Sequence, residues 1–251
     1  MTAVSVAVIA GASSGIGAAT AIACAERGIS VALGARRLDK VEEVAMTIRE
    51  RGQKALAHEL DVADGASVTT FAAAVQSELG DVDAVVASAG HSRPGLIVDG
   101  TVDDLQRHLD VNVLGPQRLI EAFAPGMIGR QRGDLVFVSS DVVDTHRPMT
   151  GHYNASKSAL EGLVRTLQRE LEGSGVRASL IRPGPTMTGM GWDWPEHQIS
   201  EVLMTWAHWG LARHDGFLPA VAVAQAVMTV LSAPRGTHLA TIDVQPEGPI
   251  R

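Results

Sequence analysis

Seven short apolar runs rich in β-branched residues alternate along the chain with longer segments of helical periodicity. Runs this short that are apolar throughout are typical of strands buried on both faces of a parallel sheet. The predicted strands are Val4–Ala10, Ser30–Ala35, Ala55–Leu60, Val82–Ala87, Asp134–Ser139, Arg177–Ile181 and Thr241–Gln245. The predicted helices include Ile16–Arg27, Asp39–Arg51, Ala66–Leu79, Val102–Ile128 and Ala155–Leu171.

This alternation of strands and helices predicts right-handed βαβ units and therefore an α/β fold. We expect a doubly wound, seven-stranded, mainly parallel sheet with helices on both faces. The 251 residues contain no internal repeat and no linker-like change in composition, so residues 1–251 are expected to form a single domain. Ligands of such folds bind at the carboxyl ends of the strands, which is where candidate functional residues are expected.

Composition and charge exclude several classes of protein. The chain has 21 basic and 28 acidic residues, and a net charge of −7 argues against a nucleic-acid binder. Its single cysteine, Cys24, cannot form an intrachain disulfide, and no apolar run approaches the length of a membrane span. No basic residue precedes Arg27, so the charged region of a signal peptide is missing. We therefore expect a cytoplasmic protein without a membrane or nucleic-acid partner. We also expect no metal site, because the nine histidines show no paired ligand spacing.

A glycine-rich turn, AGASSGIG at residues 10–17, follows the first predicted strand and leads directly into a helix. Glycines allow a tight turn and close approach of the backbone to a pyrophosphate, and the helix N-terminus offers unpaired N–H groups. The turn therefore predicts a dinucleotide site, with an ordinary strand-to-helix loop as the alternative. A Walker phosphate loop is excluded, since no Gly-Lys-Ser/Thr follows.

Two arginines, Arg36 and Arg37, follow the second strand, where sites that prefer NAD usually carry an acidic residue. A guanidinium binds phosphate through two parallel charge-assisted hydrogen bonds. The pair favours NADP(H) over NAD(H), unless both side chains are simply solvated.

Tyr153 and Lys157 are spaced four residues apart at the start of a long helical segment, which places them on one helix face. The chain has one tyrosine and three lysines, so this spacing has a chance probability of about 1%. A phenol has a pKa near 10 and needs nearby positive charge to act as a base. Hydroxyls at Ser139 and Ser140, after the fifth strand, can hydrogen-bond a substrate carbonyl. The structural alternative is a packed tyrosine beside a solvated lysine.

Taken in order, these motifs resemble the short-chain dehydrogenase/reductase family over essentially the whole chain. The matching positions are Gly11, Gly15 and Gly17, Asp61-Val62, Ala89-Gly90, Asn112, Ser140, Tyr153 and Lys157, and Pro183-Gly184 with Thr188. The resemblance implies a Rossmann-type domain. It also implies an oxidoreductase, such as a carbonyl reductase, that transfers hydride between NADP(H) and a carbonyl or secondary alcohol. A homotetramer or homodimer is implied as well.

The same resemblance implies a role for each catalytic position. Tyr153 is expected to be the general acid/base, Ser140 to orient the carbonyl and Asn112 to hold a water of the proton relay. Lys157 is expected to bind the nicotinamide ribose and to lower the tyrosine pKa. The implied cofactor-binding residues are Gly11, Ser13, Ser14, Gly15, Ile16, Gly17, Arg36, Arg37, Asp61, Val62, Ala89, Gly90, Tyr153, Lys157, Pro183, Gly184, Thr186 and Thr188.

Two departures from the family pattern concern the first and fourth strands. Ala10 stands where the family usually has threonine, and Ala87-Ser88-Ala89-Gly90 stands in place of Asn-Asn-Ala-Gly. Both changes remove polar groups that tie these strands together, which the scaffold can tolerate but which bears on the affinity for the cofactor. The alternative functions are an NAD-dependent alcohol dehydrogenase and a non-catalytic nucleotide-sensing protein. The sensor predicts a broken Ser–Tyr–Lys set, whereas this set is intact.

All four tryptophans lie between residues 192 and 209, in the segment 187–215 that resembles the family's substrate lid. Large rings beside adaptable thioethers favour a pocket for a bulky, apolar substrate. The expected pocket residues are Met187, Met190, Trp192 and Trp194. Trp206 and Trp209 suit the lid, the pocket or a subunit interface equally well.

Overall fold

The computed structural model describes residues 4–188, 194–211 and 216–248. Its strands are β1 Val6–Ala10, β2 Ser30–Ala35, β3 Ala55–Glu59, β4 Ala84–Ala87, β5 Gly133–Val138, β6 Val176–Pro183, β7 Thr186–Met187, β8 Leu218–Pro219 and β9 Thr241–Val244. Its α-helices are α1 Gly15–Ala25, α2 Leu38–Glu50, α3 Gly65–Leu79, α4 Val102–Leu109, α5 Gly115–Gly129, α6 Val142–Thr145, α7 Gly151–Glu170, α8 Glu196–His208 and α9 Ala220–Ser232. No helix within these described ranges is long and apolar enough to cross a membrane.

Seven strands form one sheet in the order β3-β2-β1-β4-β5-β6-β9, and every neighbouring pair is parallel. The predicted doubly wound α/β fold is confirmed. The strand order reverses between β1 and β4, so the carboxyl ends of these two strands flank the crevice in which such folds bind ligands.

The strands are buried on both faces because each face of the sheet carries its own apolar layer. Ile9 and Leu33 point to the layer that includes α1 and α9, whereas Phe137 and Leu180 point to the layer that includes α3, α5 and α7. Cys24 lies in the first layer with its Sγ 3.5 Å from the Sδ of Met228. Burial raises the pKa of its thiol to about 12, which suits a core residue.

The predicted continuous helix Val102–Ile128 was wrong, because a π-helical turn, Asp110–Leu114, separates α4 from α5. The N–H of Gly115 donates to the carbonyl of Asp110, five residues earlier. Pro116 has no N–H, so it cannot supply the partner that an α-helix would give to the Asn112 carbonyl. The break therefore occurs at the position where the sequence predicts a functional asparagine.

A second sheet of two short parallel strands, β7 and β8, was not predicted. Thr186 pairs with Leu218, and Met187 pairs with Pro219. The segment between β7 and β8 therefore begins and ends at neighbouring points of the structure. The strands are too short to show a hydrophobic period in the sequence.

Candidate active site

The glycine-rich turn lies tightly between β2 and the loop after β4. The N–H of Gly11 donates to the carbonyl of Gly34 over 2.8 Å, and its φ of +87° is unfavourable for other residues. A Cβ on Gly11 would lie 2.5 Å from the N of Ala89, and one on Gly17 would lie 2.2 Å from the O of Gly11. Both contacts are with backbone, so the turn accepts only glycine at these positions.

The loop after β6 forms the opposite wall of the crevice. A Cβ on Gly15 would lie 2.9 Å from the Cβ of Thr188, which places Thr188 directly across from the turn. The Gly184 N–H donates to Val244 over 2.8 Å, and the Thr186 hydroxyl donates to the Gly184 carbonyl over 2.8 Å. The structure therefore brings Thr188 beside the glycine-rich turn, whereas the contacts of Gly184 and Thr186 are with β9 and within the loop itself.

The two arginines after β2 differ in their contacts, although both are exposed. Nη2 of Arg37 donates to the hydroxyls of Ser13 and Ser14 over 3.1 and 3.4 Å. Its guanidinium therefore lies over the turn, whereas none of the described hydrogen bonds involves Arg36. Ile16 is half-buried in the first turn of α1 and packs against the apolar layer on that face of the sheet.

Asp61 and Val62 lie at the carboxyl end of β3 and are fixed by local hydrogen bonds. One carboxylate oxygen of Asp61 accepts a hydrogen bond from the N–H of Ala63 over 2.9 Å. The backbone N–H of Asp61 donates to the Ser67 hydroxyl over 2.9 Å. Arg118 donates to the Val62 carbonyl over 3.0 Å. This edge of the crevice is thus held against α3 and α5.

A polar connection between β1 and β4 remains despite the two departures from the family pattern. The Ser88 hydroxyl donates to the carbonyl of Ala10 over 2.9 Å, and the Ser88 N–H donates to the same oxygen over 3.0 Å. Ser88 thus supplies a side-chain link between the two strands that flank the crevice. Gly90 follows as an exposed residue of the same loop.

Tyr153, Ser140 and Lys157 meet at the carboxyl end of β5. Tyr153 lies in the first turn of α7, and its side chain is hydrogen-bonded to that of Ser140. Lys157, one turn later, is 3% exposed. Its Nζ donates to the Val138 carbonyl over 2.7 Å and lies 5.8 Å from the centroid of the Tyr153 ring.

The electrostatic environment shifts the pKa values of Tyr153 and Lys157 in opposite directions. Burial raises the pKa of Tyr153 to about 12, the hydrogen bond from Ser140 and the charge of Arg147 oppose this rise, and the charge of Asp141 adds to it. Burial lowers the pKa of Lys157 to about 8 against the opposing charge of Glu161. Arg147 is therefore a cation that favours the ionised phenol, an effect for which the family resemblance named only Lys157.

Asn112 is fully buried within the π-helical turn, and its side chain joins two segments of the site. Its Oδ1 accepts the His91 N–H over 2.8 Å, and its Nδ2 donates to the His91 carbonyl and to Ser156 over 2.8 and 2.9 Å. Both amide hydrogens are used, so the main-chain carbonyl is the group best suited to hold a water. Pro116 cannot pair with that carbonyl.

Asp141 and Arg147 were missed by sequence reasoning. Two hydrogen bonds of 2.9 and 2.6 Å join the guanidinium to the carboxylate, and the two side chains are only 10% and 9% exposed. The guanidinium also lies 5.2 Å from the centroid of the Trp206 ring, whose Nε1 donates to Pro148 over 2.9 Å. The available signal was the acidic residue that directly follows Ser140, with an arginine six residues later.

Three histidines form a row beside the site. The rings of His91 and His108 lie 4.6 Å apart, and those of His108 and His152 lie 5.9 Å apart. Burial lowers the pKa of His108, whose Nδ1 donates to the Asp104 carbonyl and whose Nε2 accepts the Arg93 N–H. His108 is therefore a neutral core residue that supports the other two rings.

The predicted pocket residues have different locations. Trp194 is half-buried and donates from Nε1 to the Ser92 carbonyl over 3.0 Å, whereas Met187 is mostly exposed. Trp209 is 67% exposed. Met190 and Trp192 lie outside the described residues. Among the tryptophans that the structure describes, Trp194 and Trp206 thus have hydrogen bonds to loops of the site.

Comparison with known families decides the identity of the fold. A family model described as short chain dehydrogenase matches residues 5–199. The chain belongs to the short-chain dehydrogenase/reductase family. Among curated relatives, this short-chain dehydrogenase is 40% identical over 185 residues to glycine betaine reductase of Emericella nidulans, a match that covers 74% of the chain and 15% of that protein. For the first five curated relatives, the match spans only 15% to 60% of their length.

Solved structures of the family match over nearly the whole chain. An alcohol dehydrogenase from Thermococcus sibiricus, solved with 5-hydroxy-NADP, is 32% identical with a TM-score of 0.82, covering 98% of this chain and 99% of that one. A short chain dehydrogenase/reductase from Burkholderia phymatum, solved with NAD, is 27% identical with a TM-score of 0.84, covering 96% and 89%. The predicted oxidoreductase family is confirmed.

Proposed function

We propose that the chain transfers hydride between NADP(H) and a carbonyl or secondary alcohol, with Tyr153 as general acid/base. The observation that carries this proposal is that Tyr153, Ser140 and the buried Lys157 meet at the carboxyl end of β5, with Lys157 Nζ 5.8 Å from the centroid of the Tyr153 ring. When bound, the nicotinamide supplies or accepts the hydride. Similar structures hold NADP-type or NAD cofactors, which supports a nicotinamide nucleotide here.

The crevice fits a dinucleotide. The glycine-rich turn excludes any Cβ at Gly11 and Gly17 and opens onto the N-terminus of α1, where N–H groups favour phosphate oxygens. Arg37 lies over the same turn and is suited to a ribose 2′-phosphate. Thr188 faces the turn from the loop after β6, on the side expected to hold the nicotinamide.

Tyr153 is well suited to donate a proton. Because burial raises its pKa to about 12, the phenol stays protonated at neutral pH and can protonate a substrate oxygen as negative charge develops there. The Ser140 hydroxyl holds that oxygen in place. This protonation state favours carbonyl reduction as the direction that needs no prior ionisation of the tyrosine.

Lys157 and Asn112 support this step. Lys157, with its pKa of about 8, is largely protonated at neutral pH and can bind the hydroxyls of a ribose. Asn112 would hold a water through its main-chain carbonyl at the π-helical turn. That water would return a proton to the site after each turnover.

We also propose a bulky substrate with an apolar body. Trp194 and Trp206 support this, since each is anchored by its indole N–H to a loop of the site. The segment 187–215 serves as the lid, and the pairing of β7 with β8 holds its two ends together within a single domain, 1–251. The expected homo-oligomer and cytoplasmic location stay predictions.

The test is a fluorescence titration with NADPH and NADH, followed by assays of NADPH oxidation with bulky aromatic and alicyclic ketones. The proposal expects tighter binding of NADPH and reduction of at least one ketone. Tighter binding of NADH would favour an NAD-dependent alcohol dehydrogenase. Tight binding of NADPH without reduction of any ketone would favour the nucleotide-sensing protein.

Replacement of Trp206 tests the lid. Trp206→Ala removes the ring beside Arg147 and the bond to Pro148, so we expect KM for the ketone to rise about tenfold, which corresponds to about 1.4 kcal/mol. Trp209→Ala is the matched control, because that ring is exposed, and its KM should stay within about twofold of wild type. Equal effects of the two substitutions would contradict a special role of Trp206.

A further inference from the structure

A buried carboxylate lies on α7 one turn after Lys157. The side chain of Glu161 is 6% exposed, and one of its oxygens accepts hydrogen bonds from Ser139 Oγ over 2.8 Å and from Arg182 Nε over 2.7 Å. The second oxygen accepts from Nη2 of Arg182. The guanidinium therefore binds the carboxylate through two parallel bonds, in the geometry that fixes both groups most firmly.

These contacts join three segments that each carry a group of the proposed active site. Ser139 directly precedes Ser140 at the end of β5. Arg182 directly precedes Pro183, where the loop along the crevice begins. Lys157 reaches the β5 segment through its bond to the Val138 carbonyl. None of the roles assigned above includes Glu161.

We propose that Glu161 is a positioning residue that fixes Ser140, α7 and the loop after β6 in one arrangement. This inference rests on the function proposed above, because it concerns the same reaction. A buried ion pair of this kind is weak evidence for stability alone, since apolar residues often serve as well. Its location between three functional segments gives it a second purpose.

The charges around Glu161 determine how it acts on Lys157. Burial raises the pKa of Glu161, but the bonds from Arg182 and Ser139 outweigh this and hold the pKa below its ordinary value, so the carboxylate is ionised at neutral pH. Arg165, on the exposed side, adds a contact of 3.4 Å. The other charges facing Arg182 are Asp144 of α6 at 2.9 Å and Asp243 of β9 at 3.8 Å. Glu161 thus favours the protonated form of Lys157, whereas Arg182 weakens that effect.

Two substitutions with opposite charge effects test the proposal. The readout is kcat for ketone reduction against pH, at saturating NADPH. In wild type we expect kcat to fall on the basic side near pH 8, where Lys157 loses its proton. Glu161→Gln should move this fall about one pH unit lower and reduce kcat about tenfold, with KM little changed. Arg182→Gln should move it to higher pH, because the carboxylate is then less neutralised.

Glu172→Gln is the matched control, since Glu172 forms an exposed pair with Arg169 at the end of α7. Its pH profile and kcat should equal those of wild type. Thermal unfolding and NADPH titration show which variants are folded. If either Glu161→Gln or Arg182→Gln does not fold, the direction in which the pH profile of the folded variant shifts tests the proposal. Unshifted profiles, or shifts in the same direction, would overturn the proposal. Tyr153→Phe in the same assay distinguishes failure of the proposed function from failure of the role of Glu161. If this variant retains wild-type turnover, the proposed function itself fails.

Discussion

Tyr153→Phe is expected to lower NADPH-dependent ketone reduction by about 10²- to 10⁴-fold, the range typical for loss of a general acid. The substitution removes one oxygen and keeps the ring, so the first turn of α7 and its contacts should persist. Ser140 loses its hydrogen-bond partner, but it remains positioned by the end of β5. The measurement is kcat for a ketone substrate, with the NADPH dissociation constant determined in parallel.

That dissociation constant is the internal control for Tyr153→Phe and should change by less than about threefold. Because Tyr153 is the only tyrosine, ultraviolet titration of the phenolate reports on this group alone. With its pKa raised to about 12, it should show no ionisation below about pH 10, and added NADP⁺ should lower the transition. Wild-type turnover in the variant, or an ordinary phenol titration with NADP⁺ without effect, would contradict the mechanism.

The double substitution Arg36→Ala/Arg37→Ala is expected to weaken NADPH binding by about 30- to 100-fold while changing NADH binding by less than about threefold. Each charge-assisted hydrogen bond to a phosphate contributes about 1.5–3 kcal/mol, and solvent exposure of both side chains reduces this. Because Arg37 lies over Ser13 and Ser14, the single variant Arg37→Ala should account for most of the loss. Fluorescence titration of both cofactors measures the effect.

Arg51→Ala provides the control for this pair. Arg51 is an exposed arginine that pairs with Glu26 away from the glycine-rich turn, so its removal changes the net charge by one unit without altering the crevice. Its affinity for NADPH should stay within about twofold of wild type. If it loses as much affinity as Arg37→Ala, long-range charge rather than direct phosphate binding explains the preference.

The strands were predictable because burial on both faces leaves a local signal. The strand Ser30–Ala35 agrees at both ends with the prediction, and the first strand begins two residues later than predicted. The break in the helix at Asp110–Leu114 was harder to predict from the sequence, because apolar periodicity continues through a π-helical turn. Pro116 was a sequence signal of this break, since a proline removes one N–H donor from the helix.

The candidate site likewise has parts that could be predicted from the sequence and parts that could not. Tyr153, Lys157 and the glycine-rich turn follow from spacing within one element, so the sequence contains the information directly. The pairing of Glu161 with Arg182 links two elements, and nothing local in the sequence indicates it. Likewise, a sequence pattern cannot show that Arg37 contacts the turn while Arg36 does not.

The pairing of β7 with β8 joins the two ends of the segment proposed as the substrate lid. The groups proposed for proton transfer lie on β5, α7 and the π-helical turn, whereas the segment between Met187 and Leu218 begins and ends at one paired point outside them. Since loop closure depends weakly on length, at about 0.6 kcal/mol per doubling, a change in the length of this segment should cost little in closure entropy. We therefore expect substrate preference to change when the proposed lid segment is exchanged, with the sheet and the groups proposed for proton transfer retained.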